Sequence, residues 1–262
     1  MMEKLDIKSY PLEKLAAELA GLGLRPGDFS RETERLRSCL GFFELHIEQG
    51  PVLEREGLDI GVVECIAAPI RLKLTLTGNA DHSGACPMHL RRDALTAAAE
   101  VILAVEAAGR EESGRKTVAT VGKCEIPGQA LNVVPGKVAL FLDIRGIDGE
   151  SVLRAYKSIV KRTGEICGGR GIQWEETLLS REEPVALDGK MIRRLCDVCE
   201  KKGLRYQVMP SGAGHDAMNV AAVAPVGMAF IPCKGGVSHN RAEAVSDGQL
   251  KKGLEVLWGL FE

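Results

Sequence analysis

Histidine is scarce and late in this chain: there are five, and the first is His46. A site built on imidazole ligands therefore draws nothing from residues 1–45. Neither sign of charge predominates. A formal net charge of -2 over 262 residues leaves no electrostatic footprint for nucleic acid, and no basic run suits an anionic membrane. No apolar stretch is long enough to span a bilayer. The start, MMEKLDIKSYPLEKL, alternates acids and bases where a secretory signal would be uninterruptedly apolar, so a cytoplasmic protein is expected. Cysteine is present without a pattern. Several of the eight lie in apolar stretches such as ECIAAPI and LCDVC, which predicts reduced core thiols rather than a disulfide framework. Cys196 and Cys199 form a C-x-x-C, but their context, MIRRLCDVCEKKG, has helical apolar spacing. A zinc site would need a second such pair, and a redox motif a strand just before it.

What is present reads as a folded α/β chain. Apolar residues at 45% and charged residues at 27% are near the average for globular proteins. Residues 12–22 predict a helix that ends at GLGLRPGD, and Ser30 is placed to cap a second helix running towards Leu40. FFELHIEQGP follows, with Leu45 and Ile47 alternating against His46 and Glu48, as in a strand running into a Gly-Pro break. From Gly61 the texture becomes β-rich and alternates through Ile70–Leu76. An Ala-rich helix, two strands (KTVATVGKCEIPG and KVALFLDIRG), an amphipathic helix and a strand at GIQWEETLLS come next. That β-α-β-β-α-β order is the signature of a ferredoxin-like split unit over residues 66–180. Beyond it, helix 190–202, strand 206–209, helix 216–223, strand 226–231 and a final helix from Ser246 predict a parallel sheet with covered faces. Residues 1–65 and 181–262 are thus expected to form one α/β domain interrupted by the split unit.

Polar residues of chemical interest gather beside Gly and Pro in ELHIEQGP, NADHSGACPMHLRRDAL, NVVPG with LDIRG, and PSGAGHD with PCKGGVSHNRAE. Each has a bland explanation when taken singly. A histidine at a strand end is commonly packed or solvated, Asn before Val-Val-Pro-Gly forms turns, and Arg145 suits a surface acid as well as a substrate. Their joint placement at strand and loop ends is where α/β proteins carry sites. Gly212–Ala217 also matches G-x-G-x-x-A, but the next strand ends without the acid that a dinucleotide ribose requires.

In order and approximate spacing, ELHIEQGPVLE, DHSGACPM-x-x-R-x-DAL, NVVPG, DIR, SGAGHDA and GVSHN-x-x-E resemble the amidase, hydantoinase and carbamoylase branch of the M20 metallopeptidase-like family. The resemblance covers residues 41–262. It implies an α/β fold in which a metallopeptidase-like domain, incomplete here, carries an inserted ferredoxin-like α+β lid that also makes a homodimer. It further implies metal-dependent hydrolysis of a linear amide or ureido C–N bond in a small ureido or carbamoyl acid such as an N-carbamoyl amino acid or allantoate. By position, His46 and His239 resemble ligands of the two divalent metals, zinc or manganese. His82 resembles the residue that polarises the scissile carbonyl and stabilises its oxyanion. Gln49, Asn132, Arg145 and the backbone at Gly236 resemble the substrate-gripping groups. His215 and Asp216 lie in a matching motif without an assigned role. In the family a metal-bridging water attacks after a glutamate takes its proton.

The family pattern also places a His-x-Asp stretch, a bridging Asp and a Glu-Glu pair ahead of the LHIEQ motif, and residues 1–45 contain none of these. Alone, the chain is accordingly expected to hold metal weakly or not at all and to be catalytically inert. Three explanations stay open: half of a split enzyme whose companion chain supplies the other ligands, a truncated or decayed enzyme, or a non-catalytic carboxylate-binding or assembly module derived from the lid.

Overall fold

The computed structural model describes residues 12–128 and 130–262; the charged start of the chain lies outside the described residues. Two compact units make up the protein, one from the residues up to Ile66 with Val185–Glu262, the other from Ala67–Pro184. Among the described residues no helix is long and apolar enough to cross a membrane.

In chain order, the first unit begins with α1 (Leu12–Gly21), α2 (Pro26–Arg37), β1 (Phe42–Ile47), α3 (Val52–Glu56) and β2 (Ile60–Ile66). The second holds β3 (Ala68–Thr77), β4 (Asp81–His82), α4 (Ala94–Glu111), β5 (Val118–Glu125), β6 (Val133–Val134), β7 (Lys137–Gly146), α5 (Gly149–Gly169) and β8 (Gln173–Arg181). The first unit resumes with β9 (Val185–Ala186), α6 (Gly189–Lys201), β10 (Tyr206–Ser211), α7 (Asp216–Val220), β11 (Val226–Ile231) and α8 (Asp247–Gly259).

The sheet of the first unit runs β1-β11-β2-β10, with β9 pairing β2. β1 and β11 are parallel, as are β10 and β2, but β11 and β2 are antiparallel, so the sheet is mixed rather than parallel as the sequence suggested. Alternating helices and strands report covered faces; strand direction depends on which neighbour a strand joins, and β2 meets a partner from far along the chain. β11, VGMAFI, is buried throughout, as a central strand covered on both sides should be. Ala229 and Ile231 pack against Leu195 and Val198 of α6 and Val256 of α8, while Met228 and Phe230 face Leu53 of α3 and Ala217 of α7. Cys199 belongs to the α6 core, where burial pushes its thiol up to about 12. That suits packing rather than redox chemistry.

α2 starts at Pro26, not after Ser30, and ends at Arg37 short of Leu40. Proline at the first helical position gives up no needed N–H, and Asp28 accepts from the Arg25 amide at 2.9 Å, so the start is set upstream of Ser30.

The sheet of the second unit, β5-β7-β3-β8, is antiparallel throughout, which is the ferredoxin-like strand order. Ile70, Leu72, Leu74 and Leu76 alternate inward on β3, opposite Val138, Leu140, Leu142 and Ile144 on β7. Val101 and Val105 of α4 and Val152 and Ile159 of α5 close the same core. Each fully buried leucine here contributes about 1.5–3 kcal/mol relative to exposure. Asp93 and Asp148 cap α4 and α5, each accepting two backbone amides. The β-rich run after Gly61 therefore divides: β2 pairs within the first unit, and β3 is central to the second.

Candidate functional site

In the first unit, β1 and β11 run side by side with His46 in register with Phe230. Glu44 and His46, two apart on β1, share a face. His46 Nδ1 lies 2.8 Å from the Ile47 carbonyl, which can only accept, so Nδ1 carries the proton and Nε2 is left as the basic nitrogen. His215 packs edge-on against His46, with ring centroids 4.7 Å apart. Its side chain is 2% exposed, and burial, reinforced by neighbouring His46, pushes it down to about 4 despite the opposing pull of Asp216. His215 is thus a neutral ring at ordinary pH.

Ser211 Oγ sits 2.7 Å from His215 Nε2, and Glu44 Oε1 is 3.8 Å from Nδ1. On paper this is a Ser-His-Glu succession. The serine is buried, however, and its hydroxyl is already engaged with the Ala213 carbonyl and amide. Glu44 accepts from the Ala217 amide at 2.8 Å instead. These contacts orient His215 and cap α7; they do not arm a nucleophile. Asp216 is the exposed first residue of that helix.

The loop after β11 is sewn to the loop after β1. Gln49 donates to Ser238 Oγ at 3.0 Å, the Gly235 amide donates to Glu54 at 2.7 Å, and Gly236 lies directly against Gly50–Pro51. Gln49 (φ 58) and His239 (φ 55) both adopt left-handed backbone without being glycine, a cost that such loops carry where side chains must be aimed. His239 itself is exposed, with its amide donating to Glu243 at 3.2 Å. Glu48, expected on the polar strand face, lies beyond the end of β1 and caps α3 by accepting the Val52 and Leu53 amides.

Gly236 has φ +65, and a Cβ there would fall 2.6 Å from the Pro51 nitrogen. We expect Gly236→Ala to lower the unfolding free energy by roughly 2 kcal/mol or more, combining left-handed strain with the clash. Gly122→Ala, which meets nothing within 4 Å, serves as the control in thermal denaturation. Equal melting temperatures for the two variants would contradict this account of the loop.

In the second unit, the short β4/β6 ribbon brings together motifs that are distant in sequence. His82 pairs with Val133, and the Ser83 amide donates to the Asn132 carbonyl at 2.9 Å. His82 Nδ1 accepts the Gly84 and Ala85 amides at 3.1 and 3.2 Å. Its proton is therefore on Nε2, a donor on an exposed ring. Arg145, on β7, is gripped by its neighbour: Nε and Nη2 donate to the two oxygens of Asp143, each at 2.6 Å. Arg71 adds a bond to the same carboxylate at 2.9 Å. Burial raises the Asp143 carboxyl, but the two guanidinium partners outweigh it and hold it below the usual carboxylate range. The fork that suits a substrate carboxylate is thus occupied by an internal acid, from the DIR motif itself.

Sequence reading singled out His46, Gln49, His82, Asn132, Arg145, His215, Asp216, Gly236 and His239. The structure links His46 to His215, Gln49 to the loop bearing Gly236 and His239, and His82 to Asn132. It adds Glu44, Ser211 and Asp143. Glu44 and Asp143 were legible as i,i+2 neighbours of His46 and Arg145; Ser211 carried no signal, because its partner is set by the turn. The donors do not fit a two-metal site: among the described residues no three His, Cys, Asp or Glu side chains gather to hold an ion.

Polar clusters at the strand ends of one unit and a loop ribbon in the other identify a mixed α/β protein that carries its candidate groups beside its sheets. Within that class, the chain belongs to peptidase family M20/M25/M40, whose pattern matches residues 19–262. It is 41% identical over 221 residues to a ureidoglycolate hydrolase of Arabidopsis thaliana, an alignment covering 84% of this chain and 46% of the relative. It is 40% identical over 218 residues to the allantoate amidohydrolase of Escherichia coli strain K12, covering 82% and 52%. A solved amidase of the hydantoinase/carbamoylase family from Burkholderia multivorans superposes with a TM-score of 0.80 at 34% identity, covering 84% of this chain and 53% of that one. The chain spans about half the length of the curated relatives it matches.

Proposed function

We propose that this chain supplies the substrate-gripping part of a hydrolase that cleaves a linear amide or ureido C–N bond in an N-carbamoyl amino acid or an allantoate-like ureido acid. The observation that carries this reading is the β4/β6 ribbon, which sets the Nε2–H of His82 outward beside the Asn132 loop. A fixed neutral donor of this kind suits the oxygen of a carbonyl that becomes an oxyanion. Hydrolases acting on ureido and carbamoyl acids among the relatives support the same substrate class.

Arg145 would hold the substrate carboxylate, with Asn132 of the same unit assisting; Gln49 and the Gly236 backbone are the candidate substrate contacts carried by the first unit. Because Asp143 occupies its Nε and Nη2, a substrate carboxylate must displace that acid to take the fork. His46, whose Nε2 is the basic nitrogen, and His239 are the candidate metal ligands. Metal dependence needs further ligands, which a companion segment would bring.

The test is hydrolysis. Co-produced with a polypeptide carrying a His-x-Asp stretch, a bridging Asp and a Glu-Glu pair, the chain should release ammonia from at least one of N-carbamoyl-L-amino acids, allantoate and ureidoglycolate. In that assembly Arg145→Ala should raise KM by roughly 10- to 100-fold, the loss of about 1.5–3 kcal/mol from charge-assisted bonds. An unchanged KM removes Arg145 from the substrate. The alternative, a non-catalytic carboxylate-binding or assembly module, draws on the absence of a three-ligand group among the described residues. It predicts carboxylate binding and no turnover under the same conditions.

A further inference from the structure

We infer that Arg91 is a positioning residue for His82, fixing the turn that sets the tautomer of its imidazole; this rests on reading His82 as the oxyanion donor. The turn at residues 82–86 has two sides. On the inner side, amides converge on His82: Gly84 and Ala85 donate to Nδ1, while Ala85 and Cys86 also donate to its carbonyl at 3.2 and 3.0 Å. On the other side, the carbonyls of Ser83 and Cys86 are both taken by Arg91, through Nη2 and through Nε at 3.1 Å respectively. A planar guanidinium can hold two carbonyls in one fixed geometry, which a flexible ammonium cannot.

Arg91 is itself anchored. The next carbonyl, Arg92, accepts the Asn79 amide at 2.9 Å, and Asp93 caps the eighteen-residue helix α4. The turn is therefore tied to a rigid helix start through the half-buried Arg91 side chain, in addition to its bond to Asn132. This explains the arginine in the M-x-x-R-x-D spacing, which gripping substrate does not require. If the turn loosens, the two amides no longer converge on Nδ1, and nothing then keeps the proton on Nε2 alone.

The experiment is nitrogen NMR of the isolated full chain labelled with ¹⁵N-histidine, with the His82 signals assigned from a His82→Gln variant. The wild type should show an unprotonated Nδ1 and a protonated Nε2. In Arg91→Ala the ratio of the two tautomers should fall by roughly tenfold, on the order of the loss of one or two accepted hydrogen bonds. Exchange of the Gly84 and Ala85 amides should quicken, and added methylguanidinium should reverse both changes. If Arg91→Ala fails to fold, Arg91→Lys is read in the same way, because its ammonium cannot bridge the two carbonyls at once. An unchanged tautomer ratio in the folded variant overturns the proposal. The measurement needs no turnover, so it stands or falls separately from any catalytic role of His82.

Discussion

Titrated with zinc or manganese, the isolated chain should take up far less than two equivalents and release no ammonia or carbamate from N-carbamoyl amino acids. The expectation follows from counting donors. A zinc ion is ordinarily held by three or four protein ligands, and a two-ion site needs acids to offset the repulsion between the cations. Here the candidates are His46 and His239, imidazoles that bring no negative charge, and among the described residues no three ligating side chains come together. The ring nearest His46 is His215, whose Nε2 is engaged by Ser211. Adding a polypeptide with a His-x-Asp stretch and a Glu-Glu pair should restore both metal uptake and turnover. Stoichiometric metal with turnover in the isolated chain would end this reading, and no recovery on complementation would favour the module.

His82→Asn in the complemented enzyme should lower kcat by about 10²–10³-fold with little change in KM, the loss typical of one oxyanion donor. The direction comes from the geometry: two backbone amides occupy Nδ1, so the ring has a single outward donor. A donor that meets charge only as it develops acts on the transition state and not on substrate binding. Arg145→Ala should behave oppositely, raising KM more than it lowers kcat. Should His82→Asn change KM alone, His82 grips substrate and the oxyanion role is wrong.

Much of the architecture was legible in the chain. The alternation of Ile70, Leu72, Leu74 and Leu76 marked a half-buried strand, and the Ala-rich and amphipathic stretches marked α4 and α5. The ferredoxin-like order followed because these are local periodicities, each confined to one element. Family motifs singled out candidate histidines for the same reason: they are short and contiguous.

Other features depended on contacts that periodicity does not report, some of them between residues brought close from far away. The antiparallel contact of β2 with β11 joins segments more than 160 positions apart, and no local pattern encodes its direction. The start of α2 was misplaced because Ser30 reads as a cap, while the proline and Asp28 that set the start lie before it. The neutrality of His215 arises from burial against His46 on β1, whereas the occupied fork of Arg145 comes from Asp143, two residues back on the same strand face. The histidine-free stretch before His46 belongs to the sequence alone. That His46 and His215 meet, while among the described residues no three side chains converge so as to hold an ion, is decided by the fold, because ligation depends on where side chains converge and not on how many the chain contains.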